Sequence, residues 1–197
     1  MAKVVKKKWV SIQSPADFGN IEIGECPVTD ANQLIGRSIV ANLATLGDVK
    51  KQNTKIKFIV KEIKEGKGVT EVESFMLVSS YVKRSARRSK SKIEDSFVVK
   101  LKDNSAKVKP LIVAANKVKG SIEKELRRET KKFLTNYCSN KSFNEVIDVL
   151  TKYALQKDLK NHLKKIYPIY ICEIRVFERV NKQTALPQKD EKIENTE

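Results

Sequence analysis

Three cysteines, one histidine and one tryptophan in 197 residues are scarcities that close off several kinds of chemistry at the outset. Cys26, Cys138 and Cys172 are far apart, odd in number and form no Cys-x-x-Cys pair. That argues against a disulfide framework and a zinc site, and it predicts three reduced, mostly buried thiols. The lone His162 lies in the Lys-rich stretch Asn161-His-Leu-Lys-Lys165, where no second metal ligand or proton-transfer partner is recognisable. There is no Walker loop, nucleophile elbow or dinucleotide fingerprint. Glu65-Gly-Lys-Gly68 lacks the second glycine and the Lys-Ser/Thr spacing of a phosphate loop. The adjacent acids Glu94 and Asp95 would point to opposite faces of a strand. Long apolar runs are also missing: Leu111 to Ala115 is far too short to span a bilayer. Met1 to Lys8 is charged, but no apolar stretch of a secretory signal follows it. The chain therefore reads as a cytoplasmic protein that is not an enzyme, with no cofactor, metal, membrane or small-molecule substrate expected.

Acidic residues are the remaining deficit. Only 24 Asp and Glu stand against 40 Lys and Arg, a formal net charge of +16. Such an excess repels itself unless a polyanion neutralises it, and nucleic acid is the commonest one. The hydrophobic fraction of 40% is enough for a core in one domain of ordinary size. Basic residues are spread through segments that also carry apolar periodicity, so a folded basic protein is expected.

Read along the chain, a basic arm at residues 1–8 precedes one α+β domain at 9–182, and a polar tail follows at 183–197. Trp9 to Ile12 alternates as a short strand that stops at Ser14-Pro15. Ala16 to Asn32 shows little periodicity and reads as an irregular connection with at most a helical turn. From Arg37 the pattern is β. Ile39, Ala41 and Leu43 alternate, and Ile56, Phe58 and Val60 share one face opposite Lys55, Lys57 and Lys61. Glu65 to Gly68 predicts a tight turn, with Val69 to Val78 as the return strand. Phe97 to Leu101 and Val108 to Ala115 form a second hairpin around Asp103-Asn-Ser105. From Gly120 the spacing becomes helical, with Ser121 as a plausible N-cap and Asn140 as a stop. Ser142 and Glu145 have the spacing of a capping box for a second helix. Leu155 to Ile166 predicts a third helix, ended by Pro168. Ile169 to Val180 reads as a last strand. The expected architecture is an antiparallel, barrel-like sheet with two to three C-terminal helices and a final strand returning to the sheet.

The densest charge lies in Tyr81 to Lys92, which holds Lys83, Arg84, Arg87, Arg88, Lys90 and Lys92 without one acid. Between two β segments it should project as a loop, in part helical. Guanidinium forks suit phosphate, and Ser85, Ser89 and Ser91 add small donors. The bland alternative is a solvated loop without a partner; the whole-chain charge favours RNA. Weaker patches are the arm Lys6, Lys7 and Lys8 with Trp9, and the helical cations Arg127, Arg128, Lys131 and Lys132. Trp9 could stack on a base, although a strand tryptophan is more often core. Glu125 and Glu129 dilute the helical cations toward a salt-bridged surface. Lys100, Lys102, Lys107, Lys109, Lys117 and Lys119 could line a sheet edge, where lysines also deter aggregation.

Taken in order, Lys6-Lys-Lys-Trp9, Ser14-Pro-Ala-Asp-Phe18, Ile35-Gly-Arg37 leading to Val40-Ala-Asn-Leu43, Tyr81-Val-Lys-Arg84 with Arg87-Arg88 and Ser91-Lys-Ile-Glu-Asp95, and Ile166-Tyr-Pro168 resemble the S-three-A-e (S-one-e) family of archaeal and eukaryotic small-subunit ribosomal proteins, in its archaeal form. The resemblance covers almost the whole chain. It implies a structural place on the platform of the small subunit, near the 3′ end of the rRNA and the mRNA exit. The implied partners are small-subunit rRNA, neighbouring ribosomal proteins and mRNA near the exit. From the residues alone, a nucleic-acid chaperone working outside the ribosome is the runner-up, followed by a nucleic-acid-processing enzyme using scattered carboxylates and, last, a membrane-surface protein.

Overall fold

The computed structural model describes residues 7–48 and 51–180. Expectations for Lys6 and for the tail at 183–197 fall outside them. Nine strands and four α-helices make an α+β fold in these residues. The strands are β1 (Lys8–Gln13), β2 (Glu22–Val28), β3 (Ser38–Asn42), β4 (Thr54–Lys64), β5 (Lys67–Leu77), β6 (Lys92–Glu94), β7 (Phe97–Lys100), β8 (Ser105–Ala114) and β9 (Ile169–Val180). The helices are α1 (Ser79–Ser85), α2 (Gly120–Ser139), α3 (Phe143–Thr151) and α4 (Ala154–Leu163). Against an expectation of two to three C-terminal helices, α2, α3 and α4 lie there, and α1 is a further helix at the start of the basic segment.

Local chemistry explains most boundaries. Glu65 and Gly66 both take positive φ, so Lys64 pairs with Lys67 across a two-residue turn. The α3 capping box is formed: Glu145 N donates to Ser142 Oγ at 3.4 Å, and Ser142 N donates to Glu145 Oε2 at 3.0 Å. Such a cap contributes about 1 kcal/mol. At α2 the cap position is Lys119, without a side-chain capping bond, and Ser121 already lies inside the helix. Asn140 ends α2 as its sequence suggests.

The expected antiparallel, barrel-like sheet is met only in part: most pairings are antiparallel, but β1 and β5 run parallel and the sheet is open. Its path runs β2-β1-β5-β9-β8-β6, with β3-β4 on the other edge of β5 and β7 beside β8. β5 is the branch point. Its start pairs with β1, in parallel, at Ile12–Gly68, and its end pairs antiparallel with β9 at Ser74–Met76. Two different strands thus divide one edge of β5, and the sheet forks where a barrel would close. Gly68 belongs at that junction: a Cβ there would meet a Val60 methyl at 3.3 Å and Ile12 at 3.5 Å. The segment read as irregular between Ala16 and Asn32 contains β2, which pairs with β1 from Lys8–Val28 onward.

β9 returns to the sheet centre as expected, between β5 and β8. Phe177 lies between Phe75 of β5 and Val108 of β8 and stacks on Phe143 of α3, with ring centroids 5.1 Å apart. The main core therefore joins the sheet to α2, α3 and α4 through Phe58, Phe75, Leu126, Leu134, Leu150, Leu159 and Phe177, all buried. A smaller cluster of Leu77, Val82 and Leu111, with Tyr81 against it, seats α1. Of the three unpaired cysteines, Cys138 and Cys172 are buried and Cys26 is half-buried. Burial pushes the Cys138 thiol up to about 11 and the Cys172 thiol up to about 12.

Candidate nucleic-acid interface

The basic segment is presented by a built element. β5 ends at Leu77 and the chain turns into α1, whose buried side is Val82 and Ser85. Ser85 Oγ donates to the Tyr81 carbonyl at 2.9 Å. Tyr81 Oη donates to Glu173 Oε1 of β9 at 2.6 Å, which ties α1 to the sheet. Burial raises the Glu173 carboxyl above its ordinary range, and the Tyr81 hydroxyl only partly offsets this. The same pair raises the Tyr81 phenol, through burial first and then the hydrogen bond to Glu173.

That arrangement gives a pH signature. A carboxyl whose folded pKa lies above its unfolded value binds more protons in the folded state, so its contribution is most favourable below the unfolded value and is lost as pH rises through the folded one. Glu173→Gln keeps an oxygen for Tyr81 and removes the charge. The variant is expected to melt higher than the native chain at pH 7, with the difference vanishing near pH 4. Equal melting temperatures at pH 7 would contradict a destabilising carboxylate.

With Tyr81, Val82 and Ser85 facing inward, Lys83 and Arg84 are exposed in the last turn of α1, and Arg87 and Arg88 are exposed just beyond it. Lys83, Arg84, Arg87 and Arg88 have no acidic partner among the described residues. Arg84 makes one long contact, Nη2 to Asn53 Oδ1 at 3.4 Å. The other two cations of the segment are engaged: Lys90 lies 3.0 Å from the Tyr170 ring centroid, and Lys92 pairs with Glu94 at 2.9 Å. Ser91 closes the segment. Its carbonyl accepts from Ala114 N at 2.9 Å, and its hydroxyl accepts from Val118 N at 3.1 Å. This brings the exposed Lys117 and Lys119 beside the basic segment.

The other expected patches are not gathered there. Lys7, Lys8 and Trp9 are exposed, Trp9 at 69%, so the tryptophan is not a core residue. β1 meets β5 at its start and runs parallel to it, whereas α1 leaves its end. The 11 residues of β5 separate the two, roughly 35 Å of extended chain. On α2, Arg127, Arg128, Lys131 and Lys132 are exposed. Lys132 pairs with Glu129 at 3.1 Å and Arg128 lies 3.7 Å from the same carboxylate, so one acidic charge is set against two of the four cations. His162 rests on Phe133, with centroids 5.2 Å apart, and lies 3.7 Å from Glu129. No group of three His, Cys, Asp or Glu that could hold a metal occurs among the described residues, and no helix there is long and apolar enough to cross a membrane.

Sequence reasoning missed one group. Lys157 and Lys160 of α4 and Tyr170 of β9 line a cleft next to the basic segment, and Lys90 reaches Tyr170 from that segment. A signal was present in the i, i+3 spacing of Lys157 and Lys160, opposite the buried Leu155, Leu159 and Leu163.

The model of the Ribosomal S3Ae family matches residues 1–183. The chain belongs to the ribosomal S3Ae family. Three archaeal relatives carry the name small ribosomal subunit protein eS1. That of Methanobrevibacter smithii is 33% identical over 171 residues, 86% of this chain and 89% of the relative. That of Methanothermobacter thermautotrophicus is 31% identical over 171 residues, 86% of this chain and 88% of the relative. That of Haloarcula marismortui is 27% identical over 190 residues, 95% of this chain and 86% of the relative. The match to the S3Ae family takes in the whole basic segment, the α-helical layer and the returning strand β9.

Proposed function

We propose that this chain is a structural component of the small ribosomal subunit that docks on rRNA through α1 and the segment that follows it. One observation carries the reading: four cations, Lys83 and Arg84 on α1 and Arg87 and Arg88 just after it, are exposed without acidic partners among the described residues, and α1 is anchored to the sheet by Tyr81 and Val82. Anchoring matters because a charge already held in place loses little freedom on binding, and each phosphate it neutralises releases counterions. Relatives named as small-subunit proteins over most of this chain's length support the ribosomal setting. Lys8 and Trp9, at the far end of β5, and Arg127 and Lys131 on α2 are second contacts, to a different rRNA strand or to a neighbouring ribosomal protein. The family resemblance supports a place on the platform near the rRNA 3′ end and the mRNA exit, in the cytoplasm, with no catalytic role.

Sucrose-gradient fractionation of cell extract tests the assignment. The chain is expected to migrate with the small subunit and to leave it only at high salt. A chain that stays at the top of the gradient would instead be a free RNA or DNA chaperone.

A further inference from the structure

β5 pairs with β9 only at Ser74–Met76, so among the described residues the first half of β9, from Ile169 to Ile174, has no strand on that edge. α1 lies near this gap through Tyr81 and Glu173, and α4 lies near it through Lys160, whose Nζ donates to the Tyr170 carbonyl at 2.8 Å. Between α4 and this part of β9 is a cleft of about 220 Å³. Tyr153, Gln156, Lys157, Lys160, Tyr170 and Glu173 line it.

Its chemistry is divided. Lys157 and Lys160 supply positive charge, and half of Tyr170 remains accessible while Lys90 occupies one face of its ring. Of the deeper lining groups, Cys172 is a buried thiol, and Gln156 and Glu173 carry acceptor oxygens. Gln156 is 5% exposed, and its Nε2 donates to the Leu150 carbonyl at 3.1 Å. That bond fixes the amide, because the flipped orientation would set oxygen against oxygen. Gln156 Oε1 is buried without a donor among the described residues. A buried acceptor without a donor is unfavourable and calls for a partner. Glu173 accepts one bond from Tyr81, and a carboxylate has capacity for more.

We propose that this cleft receives one unstacked nucleotide of the bound RNA, with a guanine base stacked on the free face of Tyr170, its N–H groups donated to Gln156 Oε1 and Glu173, and its phosphate held by Lys157 and Lys160. The proposal rests on the RNA-binding reading above and deepens it. Guanine is the base with adjacent N1–H and N2–H₂ donors on its Watson–Crick edge, the complement of a carboxylate with a nearby amide oxygen. Adenine, cytosine and uracil each offer fewer donors there. The cleft adjoins Lys90, so a base leaving an RNA strand held by Arg87 and Arg88 has a short path into it.

NMR titration of the full chain with GMP, AMP, CMP and UMP tests this. GMP is expected to shift the Gln156 side-chain amide and the Tyr170 ring and to bind tightest of the four. Tyr170→Ala should weaken GMP binding about tenfold, the scale of one lost stacking contact, while Tyr170→Phe retains it and Arg87→Ala/Arg88→Ala leaves the Gln156 shift in place. A folded Tyr170→Ala variant that binds GMP as well as the native chain overturns the proposal. So does equal binding of all four nucleotides, or a GMP response confined to Arg87 and Arg88. An rRNA fragment is titrated in parallel. If it binds while GMP leaves Gln156 and Tyr170 unmoved, the cleft assignment fails and the interface stands; if the fragment does not bind either, the interface fails as well.

Discussion

Replacing Arg84, Arg87 and Arg88 together with alanine is expected to weaken rRNA binding and to flatten its salt dependence. Each phosphate contact removed lowers the slope of log affinity against log salt by about 0.9 on duplex and about 0.7 on single strands. Three lost contacts therefore reduce the slope by about 2 to 3. The fold should tolerate the change. The seat of α1 is Tyr81, Val82 and Ser85, none of which is altered, and the one bond lost is the long contact from Arg84 to Asn53. Lys92→Ala should have a smaller effect, because that lysine is already paired with Glu94. The same triple variant should be depleted from small subunits in a gradient. An unchanged salt slope and undiminished co-sedimentation would remove the basic segment from the interface.

Phe177→Ala is expected to destabilise the chain by about 3 to 5 kcal/mol, the range for deleting a buried phenyl ring. Phe177 is 1% exposed. It is where three parts of the chain meet: Phe75 and Val108 flank it in the sheet, and Phe143 stacks on it from α3. Removing it leaves a void on several sides, and the neighbouring β-sheet backbone cannot collapse far to fill it. For a domain of this size each kcal/mol lowers the melting temperature by about 2–4 °C, so a fall of about 10 °C is expected. Urea unfolding gives the direct value, and a loss below about 1 kcal/mol would mean that β9 does not join sheet and helices as described. The interface should weaken too, since Tyr81 holds α1 through Glu173 on the same strand.

Much of this was legible in the residues. Period-2 alternation located β4, β5, β7 and β8, and the capping box marked the start of α3, because both signals are local. The charge density of Lys83 to Lys92 likewise needed no fold to be seen. β2 was not legible: Gly24 and Pro27 interrupt its pattern, and its pairing with β1 decides its conformation. Strand order was hidden for a related reason. Alternation identifies a strand's buried face, but it does not say that β1 runs parallel to β5 or that β9 shares β5's edge with it. Those two pairings are where the sheet departs from the barrel-like expectation. The exposure of Trp9 follows from β1, where Ile12 faces the core and Trp9 extends beyond the start of β5. The cleft was invisible because Gln156 of α4 and Tyr170 and Glu173 of β9 come together only when α4 packs on β9.

The central claim is that α1 and the segment after it are the main rRNA contact. A residue-resolved crosslinking map between this chain and the rRNA of intact small subunits tests it most directly. The account predicts that the strongest crosslinks fall between Lys83 and Lys92, with a second, separate group at Lys8 and Trp9. Crosslinks concentrated on α2, or a Lys83–Lys92 segment that yields none, would contradict it.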